Sequence, residues 1–195
     1  STKEQGQNWA VSSLPPGVPF VGGHPMAGKE TWGFDVAEPG LFEGATYCLV
    51  PSPSTTPRAI KLVTKMVETI KANPLSISAN EHDRLVAGIS HLPLVISSTL
   101  AILTQKDPSW PQMSKLAAGG YRDTTRLASG NPQMGRDICV TNRKALVAWI
   151  DRFLVELTRF KESIDKGSSE EIESTLISAK EGRDKWYKQR FSSGG

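Results

Sequence analysis

Cysteine is nearly absent from this 195-residue chain: only Cys48 and Cys139 occur, 91 positions apart and in no CxxC arrangement. Neither a disulfide framework nor a thiolate metal site suits that usage, whereas a reducing, cytoplasmic setting does. The three histidines, His24, His82 and His91, lack the HxxxH spacing of a helical zinc site, so no metal is expected. There is no GxSxG elbow and no Walker lysine behind a glycine loop, which removes the serine hydrolase and nucleotide triphosphatase readings. The GxGxxG fingerprint of dinucleotide folds is missing as well. Charge of one sign is also lacking, because 23 Lys+Arg face 20 Asp+Glu and the nine basic residues from Asp151 onward meet nine acidic ones. So balanced a chain offers no electrostatic footprint for nucleic acid. Continuous apolar runs such as Leu92 to Ile96 fall far short of the roughly 20 residues of a membrane span. The polar opening from Ser1 to Asn8 does not read as a signal peptide, and no membrane partner is expected.

What is present is a globular composition, 38% hydrophobic and 22% charged, long enough to bury a core. To about Ala79 the chain reads as short strands with one helix. Phe20 to Gly23 follows the turn-rich Pro15-Pro16-Gly17, and Tyr47 to Val50 runs into Pro51-Ser52-Pro53; both read as buried strands. Between Thr56 and Ala72, Ile60, Val63, Val67 and Ile70 mark an amphipathic helix with Thr56 as cap and Pro57 at its first position. Leu75 to Ile77 is a third short strand after Asn73-Pro74, giving a piece of an α/β sheet with exposed edges.

Helices take over after Ser78, which pairs with Glu81 as a capping box. The stretch from His82 to Thr104 is apolar on most faces and predicts a helix buried nearly all round, kinked at Pro93. A loop with Pro108, Trp110 and Pro111 leads to Gly119-Gly120. Asn131-Pro132 then opens a pattern that predicts one helix from Gln133 to Lys166, on the order of 50 Å long. A chain of this length has a radius of gyration of about 16 Å, so part of that helix is expected to pack on a second copy in a homodimer. Ser168 and Glu171 cap a last helix to about Tyr187, and the chain ends in a tail, 191–195.

Three places carry residues suited to chemistry. His24 lies in Gly22-Gly23-His24-Pro25-Met26-Ala27-Gly28, read as a turn after a strand, where an imidazole of ordinary pKa about 6.5 suits general base work. The plainer reading is an ordinary turn histidine. Gly119-Gly120-Tyr121-Arg122-Asp123-Thr124-Thr125-Arg126 offers two arginines suited to gripping carboxylates, or alternatively surface ion pairs around Asp123. His91, in Ser90-His91-Leu92-Pro93, is either functional or a buried histidine satisfied by a carbonyl near the proline.

Taken in order, GGHPMAG at Gly22 to Gly28, Leu41-Phe42-Glu43-Gly44-Ala45, Glu81-His82-Asp83, Ser90-His91-Leu92-Pro93 and GGYRDTTRLASGNPQMGRDI from Gly119 to Ile138 resemble the prephenate and arogenate dehydrogenase family of tyrosine biosynthesis. The resemblance runs from the first residues to about Trp186, and Ser1-Thr2-Lys3 is similar to the end of that family's GSxK segment. It implies an α/β remnant of a Rossmann-like nucleotide domain at 1–79, without its GxGxxG part. An all-α helical dimerisation domain similar to the C-terminal domain of 6-phosphogluconate dehydrogenase would follow at 80–190. The cofactor implied is NAD or NADP, bound poorly by this chain alone, and the substrate implied is prephenate or arogenate. By motif His24 is the base, oriented by Ser1, and Arg126 holds a substrate carboxylate from a buried position with Asp123 as neighbour. His91 and Glu30 would lie at the substrate, and Ser1, Gly23 and Pro25 at the cofactor. Two positions depart from the family. Leu94 replaces the second histidine of SHLPH, which leans the reading to arogenate or dual use, and Gly135 stands where many members carry tryptophan. The competing readings are a non-catalytic dimerisation or regulatory module and, last, a small acid-binding protein without redox chemistry.

Overall fold

The computed structural model describes residues 2–28 and 33–191. By contact the chain divides into two compact units, Ser1–Trp149 and Ile150–Gly195. The first helix after the sheet packs back onto the middle strand, within the first unit.

The first unit opens with a helix the sequence reading did not contain, α1 (Glu4–Ser13). Its first-turn N–H groups have no intrahelical partner, and the side chain of Asp83, far along the chain, supplies one. Strand β1 (Val21–Pro25) pairs antiparallel with β2 (Thr46–Pro51), which pairs parallel with β3 (Asn73–Ser76) in a three-stranded sheet of order β1-β2-β3. His24 therefore lies within a strand, opposite Cys48, and not on a turn after one. Pro25 ends that strand on the sheet's edge, where the missing N–H is tolerated. Helix α2 (Pro57–Thr69) starts as its sequence predicts, with Thr56 accepting from the Ala59 N–H at 3.2 Å and Pro57 at the first position. Its apolar face of Ile60, Val63 and Val67, with Ile70 just beyond, packs on Leu49, Ala72, Phe42 and Tyr47 as the core under the sheet. All four residues of β3 are exposed.

Helix α3 (Ala79–Val86), a π-helical turn (Ala87–His91) and α4 (Leu92–Gln105) run end to end. Ser78 accepts from the Glu81 N–H at 3.3 Å. Pro93 has no N–H to return to the preceding turn, and the disturbance expected there takes the form of the π turn just upstream. Trp149 Nε1–H donates to the Arg84 carbonyl at 3.0 Å, beside this turn. The helix is not buried all round: Val86, Ala87, Leu92 and Ala101 are buried, but Ile89, Ile102 and Leu103 are exposed. By length and composition Ala79–Gln105 could cross a membrane, a feature that counting continuous apolar runs overlooks. Its polar residues His82, Asp83, His91 and Ser97, however, are buried within the fold.

The expected loop after Pro108 contains α5 (Trp110–Leu116), and α6 (Gly119–Thr125) and a 3-10 turn (Arg126–Ser129) follow. The long helix expected from Gln133 to Lys166 is two helices, α7 (Pro132–Thr141) and α8 (Arg143–Asp165), of about 15 and 35 Å. Asn142 breaks it, leaving helical geometry while its buried side chain binds Asp83 and His91. The length argument for a second copy goes with that break.

The second unit holds the rest of α8 and α9 (Ser169–Phe191). Gly167 has φ of 64°, and the Gly167 and Ser168 N–H groups donate to Ile164 and Ser163 carbonyls, the Schellman arrangement that glycine permits. Glu171 accepts from Ser163 Oγ at 2.8 Å. The expected tail at 192–195 lies outside the described residues.

Candidate active site

Strand β1 and helix α3 bring together two histidines and a carboxylate. His24 Nδ1 lies 2.8 Å from His82 Nε2, and His82 Nδ1 lies 2.7 Å from Asp83 Oδ1. The two rings meet edge on, with centroids 5.0 Å apart. His82 and Asp83 are almost completely buried, while His24 is half-buried. The Asp83 carboxylate also accepts the Lys3 N–H at 2.8 and 3.0 Å and the Glu4 N–H at 3.0 Å.

Burial alone would raise the pKa of Asp83. The hydrogen bonds from His82 and from the Glu4 and Lys3 backbone outweigh that effect and hold it below the ordinary carboxylate value. His24 is pushed the other way for a base, down to about 3, by burial first, with the positive charge of Lys3 acting in the same direction. It is therefore neutral at physiological pH. His91 is likewise lowered to about 4, by burial that outweighs the nearby Asp83 charge.

His91 is fully buried in the π turn, and its Nδ1 lies 3.0 Å from Asn142 Nδ2. The same amide nitrogen donates to the Asp83 backbone carbonyl at 2.8 Å. Asp83 thus touches both histidine systems, one through its side chain and the other through its main chain. The bland reading of His91, satisfied by a backbone carbonyl, gives way to a side-chain amide.

Arg126 opens the 3-10 turn and is exposed, not buried as the resemblance implies. Ser97 Oγ accepts from the Ala128 N–H at 3.0 Å and ties this turn to α4, six residues and about 9 Å along the helix from His91. Asp123 is engaged by Arg122, with Nε to Oδ1 at 2.9 Å on an exposed surface, which lowers its pKa through that hydrogen bond and charge. A Cβ at Gly23 would lie 2.9 Å from the Tyr47 ring, so this glycine makes room for a core aromatic. Ser1 and Glu30 lie outside the described residues. Leu94 and Gly135, the two departures from the family pattern, face each other: a Cβ at 135 would lie 3.7 Å from Leu94 Cδ2. Both line an open cavity of about 390 Å³ with Ser98, Leu127 and Cys139.

The sequence reading gave no role to His82, Asp83 or Asn142. A signal existed for the first two, because an adjacent imidazole and carboxylate fall on the side of α3 that carries buried Val86. Polar residues so placed require partners.

Residues 78–178 match the family model "Prephenate dehydrogenase, dimerization domain", and residues 1–75 match "Prephenate dehydrogenase, nucleotide-binding domain". The prephenate dehydrogenase of Bacillus subtilis is 33% identical over 185 residues, covering 94% of this chain and 50% of the relative, so the chain spans about half the length of that curated protein. The structure of A. aeolicus prephenate dehydrogenase with hydroxyphenyl propionate and NAD+ superimposes with a TM-score of 0.79 at 32% identity, covering 85% of this chain and 58% of the other. Arogenate dehydrogenase of Synechocystis gives 0.75 at 30% identity, covering 86% and 62%. The fold is a fragment of a Rossmann-like nucleotide domain followed by a helical C-terminal domain. With both family models matched in order over nearly its whole length, the chain belongs to the prephenate dehydrogenase family.

Proposed function

We propose that this chain carries the substrate-side machinery of a decarboxylating prephenate or arogenate dehydrogenase, with His24 as the general base. The observation that carries the reading is the hydrogen-bonded chain from Asp83 through His82 to His24, which ends on a neutral, half-buried imidazole. A substrate hydroxyl must lose its proton as the carbon bearing it gives up hydride, and an imidazole within hydrogen-bond reach is suited to take it. Loss of the ring carboxylate as carbon dioxide then leaves an aromatic product. NAD or NADP, when bound, supplies the hydride acceptor. No GxGxxG loop among the 195 residues suits its pyrophosphate.

Arg126 is proposed to bind a substrate carboxylate, with Asp123, Glu30 and His91 assigned to the same substrate by the family motifs. Ser1, Gly23 and Pro25 are assigned to the nicotinamide side. The division at 79/80 is kept as a functional one, with the base before it and the anion-binding residues after it. Leu94 cannot hydrogen-bond a substrate, which favours arogenate or use of both acids. A homodimer through the helical domain accords with the matched dimerization model and with the exposed Ile89, Ile102 and Leu103. A cytoplasmic setting accords with two free thiols.

The test has two parts. Calorimetric titration with prephenate, arogenate, NAD and NADP reads binding by this chain, and NAD(P)H formation reads turnover in a polypeptide that joins it to an upstream nucleotide-binding segment. Turnover of either acid, lost in His24→Asn, is expected. Acid binding without any turnover would overturn the dehydrogenase reading in favour of a non-catalytic module.

A further inference from the structure

We infer that Asp83 fixes the tautomers of His24 and His91 in opposite senses, acting through His82 to leave His24 with a bare Nε2 acceptor and through Asn142 to give His91 an Nε2–H donor. The use of those two nitrogens rests on the proposed function; their protonation does not.

An ionised carboxylate only accepts, so the His82 nitrogen 2.7 Å from Asp83 Oδ1 carries a hydrogen. When His82 is neutral its one N–H is spent on Asp83, and its Nε2 is then a lone pair. His24 Nδ1, 2.8 Å away, must donate to it. That spends the one proton of a neutral His24 and leaves Nε2 bare. The second branch starts from the Asp83 carbonyl, which also only accepts and so compels Asn142 to turn its amide nitrogen inward at 2.8 Å. The other hydrogen of that NH₂ group faces His91 Nδ1 at 3.0 Å, so Nδ1 is the lone pair and Nε2 holds the proton. Burial keeps both rings neutral, as the counting requires. Among the described residues no buried side-chain nitrogen or oxygen is left without a partner.

A dehydrogenase site acting on a hydroxyl benefits from this pairing, since the proton acceptor and a hydrogen-bond donor are set by parts of one buried residue. His82, Asp83 and Asn142 are positioning residues in this scheme.

Ring-nitrogen NMR of the histidine-labelled chain tests it. The expected spectrum has a pyrrole-like Nδ1 and a pyridine-like Nε2 for His24, and the reverse for His91. His82→Leu removes the acceptor and should release the His24 tautomer, lowering turnover by about 10²- to 10⁴-fold in the joined polypeptide. His82→Gln places a carbonyl oxygen within reach of His24 Nδ1–H and should recover the tautomer and part of the loss. A proton on Nε2 of His24 in the unmodified chain would overturn the inference, because it would mean that His82 is the donor. An unchanged His24 spectrum in His82→Leu would overturn it too. If that variant fails to fold, the unmodified chain and His82→Gln still decide. The spectra need no turnover, so a failed dehydrogenase assay leaves this inference standing, and an active enzyme with the wrong tautomer defeats it alone.

Discussion

A methyl group added at Gly88 has no space to occupy. Its carbon would lie 2.6 Å from Cε2 and 2.7 Å from Cζ2 of Trp149. Ordinary carbon contact is about 3.5–4.0 Å, so the indole must retreat by about 1 Å. The Trp149 N–H bond to the Arg84 carbonyl, 3.0 Å long, does not survive such a shift. Overpacking costs about 1–3 kcal/mol and the lost hydrogen bond about 1 kcal/mol, offset by about 1 kcal/mol from replacing glycine in a helix. Gly88→Ala should therefore destabilise by about 1–3 kcal/mol, lowering the melting temperature by roughly 4–8 °C at the middle of that range. Gly135→Ala is the matched control. It lies inside α7, where the new carbon meets Leu94 at an ordinary 3.7 Å, so the same substitution should stabilise by about 0.5–1 kcal/mol. Differential scanning calorimetry of the two variants beside the unmodified chain reads the sign directly. A rise in melting temperature for Gly88→Ala equal to that of Gly135→Ala would refute the packing argument.

His24→Asn should lower kcat by about 10²- to 10⁴-fold with little change in KM, and steady-state kinetics in the joined polypeptide check this. Arg126→Ala should mainly raise KM or abolish acid binding in calorimetry; an unchanged affinity would remove Arg126 from the site. His24 and His91 have folded pKa values of about 3 and about 4 against an unfolded value near 6.5, so the unfolded chain binds more protons between those limits. Stability should be full above about pH 6.5 and fall as pH drops toward 4. The lowered pKa of Asp83 works in the same direction at lower pH, since its contribution is present above the unfolded carboxylate value and lost as pH falls through the folded one. Urea melts across that range should show the decline, shallower in His24→Asn; a stability independent of pH would contradict the buried neutral rings.

Much of the local structure was legible because it is decided locally. Thr56-Pro57 and the spacing of Ile60, Val63, Val67 and Ile70 specify α2 without reference to anything distant. The strand runs at Val21 and Tyr47 are short, apolar and bounded by breakers, and the π turn lies where Pro93 disturbs its helix. The features that escaped depend on residues far apart in the chain. Helix α1 has weak amphipathicity and no cap of its own; its cap is the carboxylate of Asp83, some 80 residues on. The break at Asn142 interrupts a continuous apolar pattern, because one amide is worth more to two buried partners than a helical residue is to its neighbours. Of the site, His24 and His91 stood out as isolated histidines in apolar or glycine-rich settings. His82 and Asp83 lie in the Glu81-His82-Asp83 motif, but adjacency in sequence says nothing about which strand their side chains meet.

The carboxylate of Asp83 that orients His82 through Oδ1 also holds the first turn of α1, through both of its oxygens. Fraying of that helix end and disorder of the histidine pair are therefore one event, not two. The amide protons of Lys3 and Glu4 become remote gauges of His24: their exchange with solvent should slow when a ligand steadies the imidazole and quicken when it is removed, making the order of the site readable from the backbone of a helix that carries none of its chemistry.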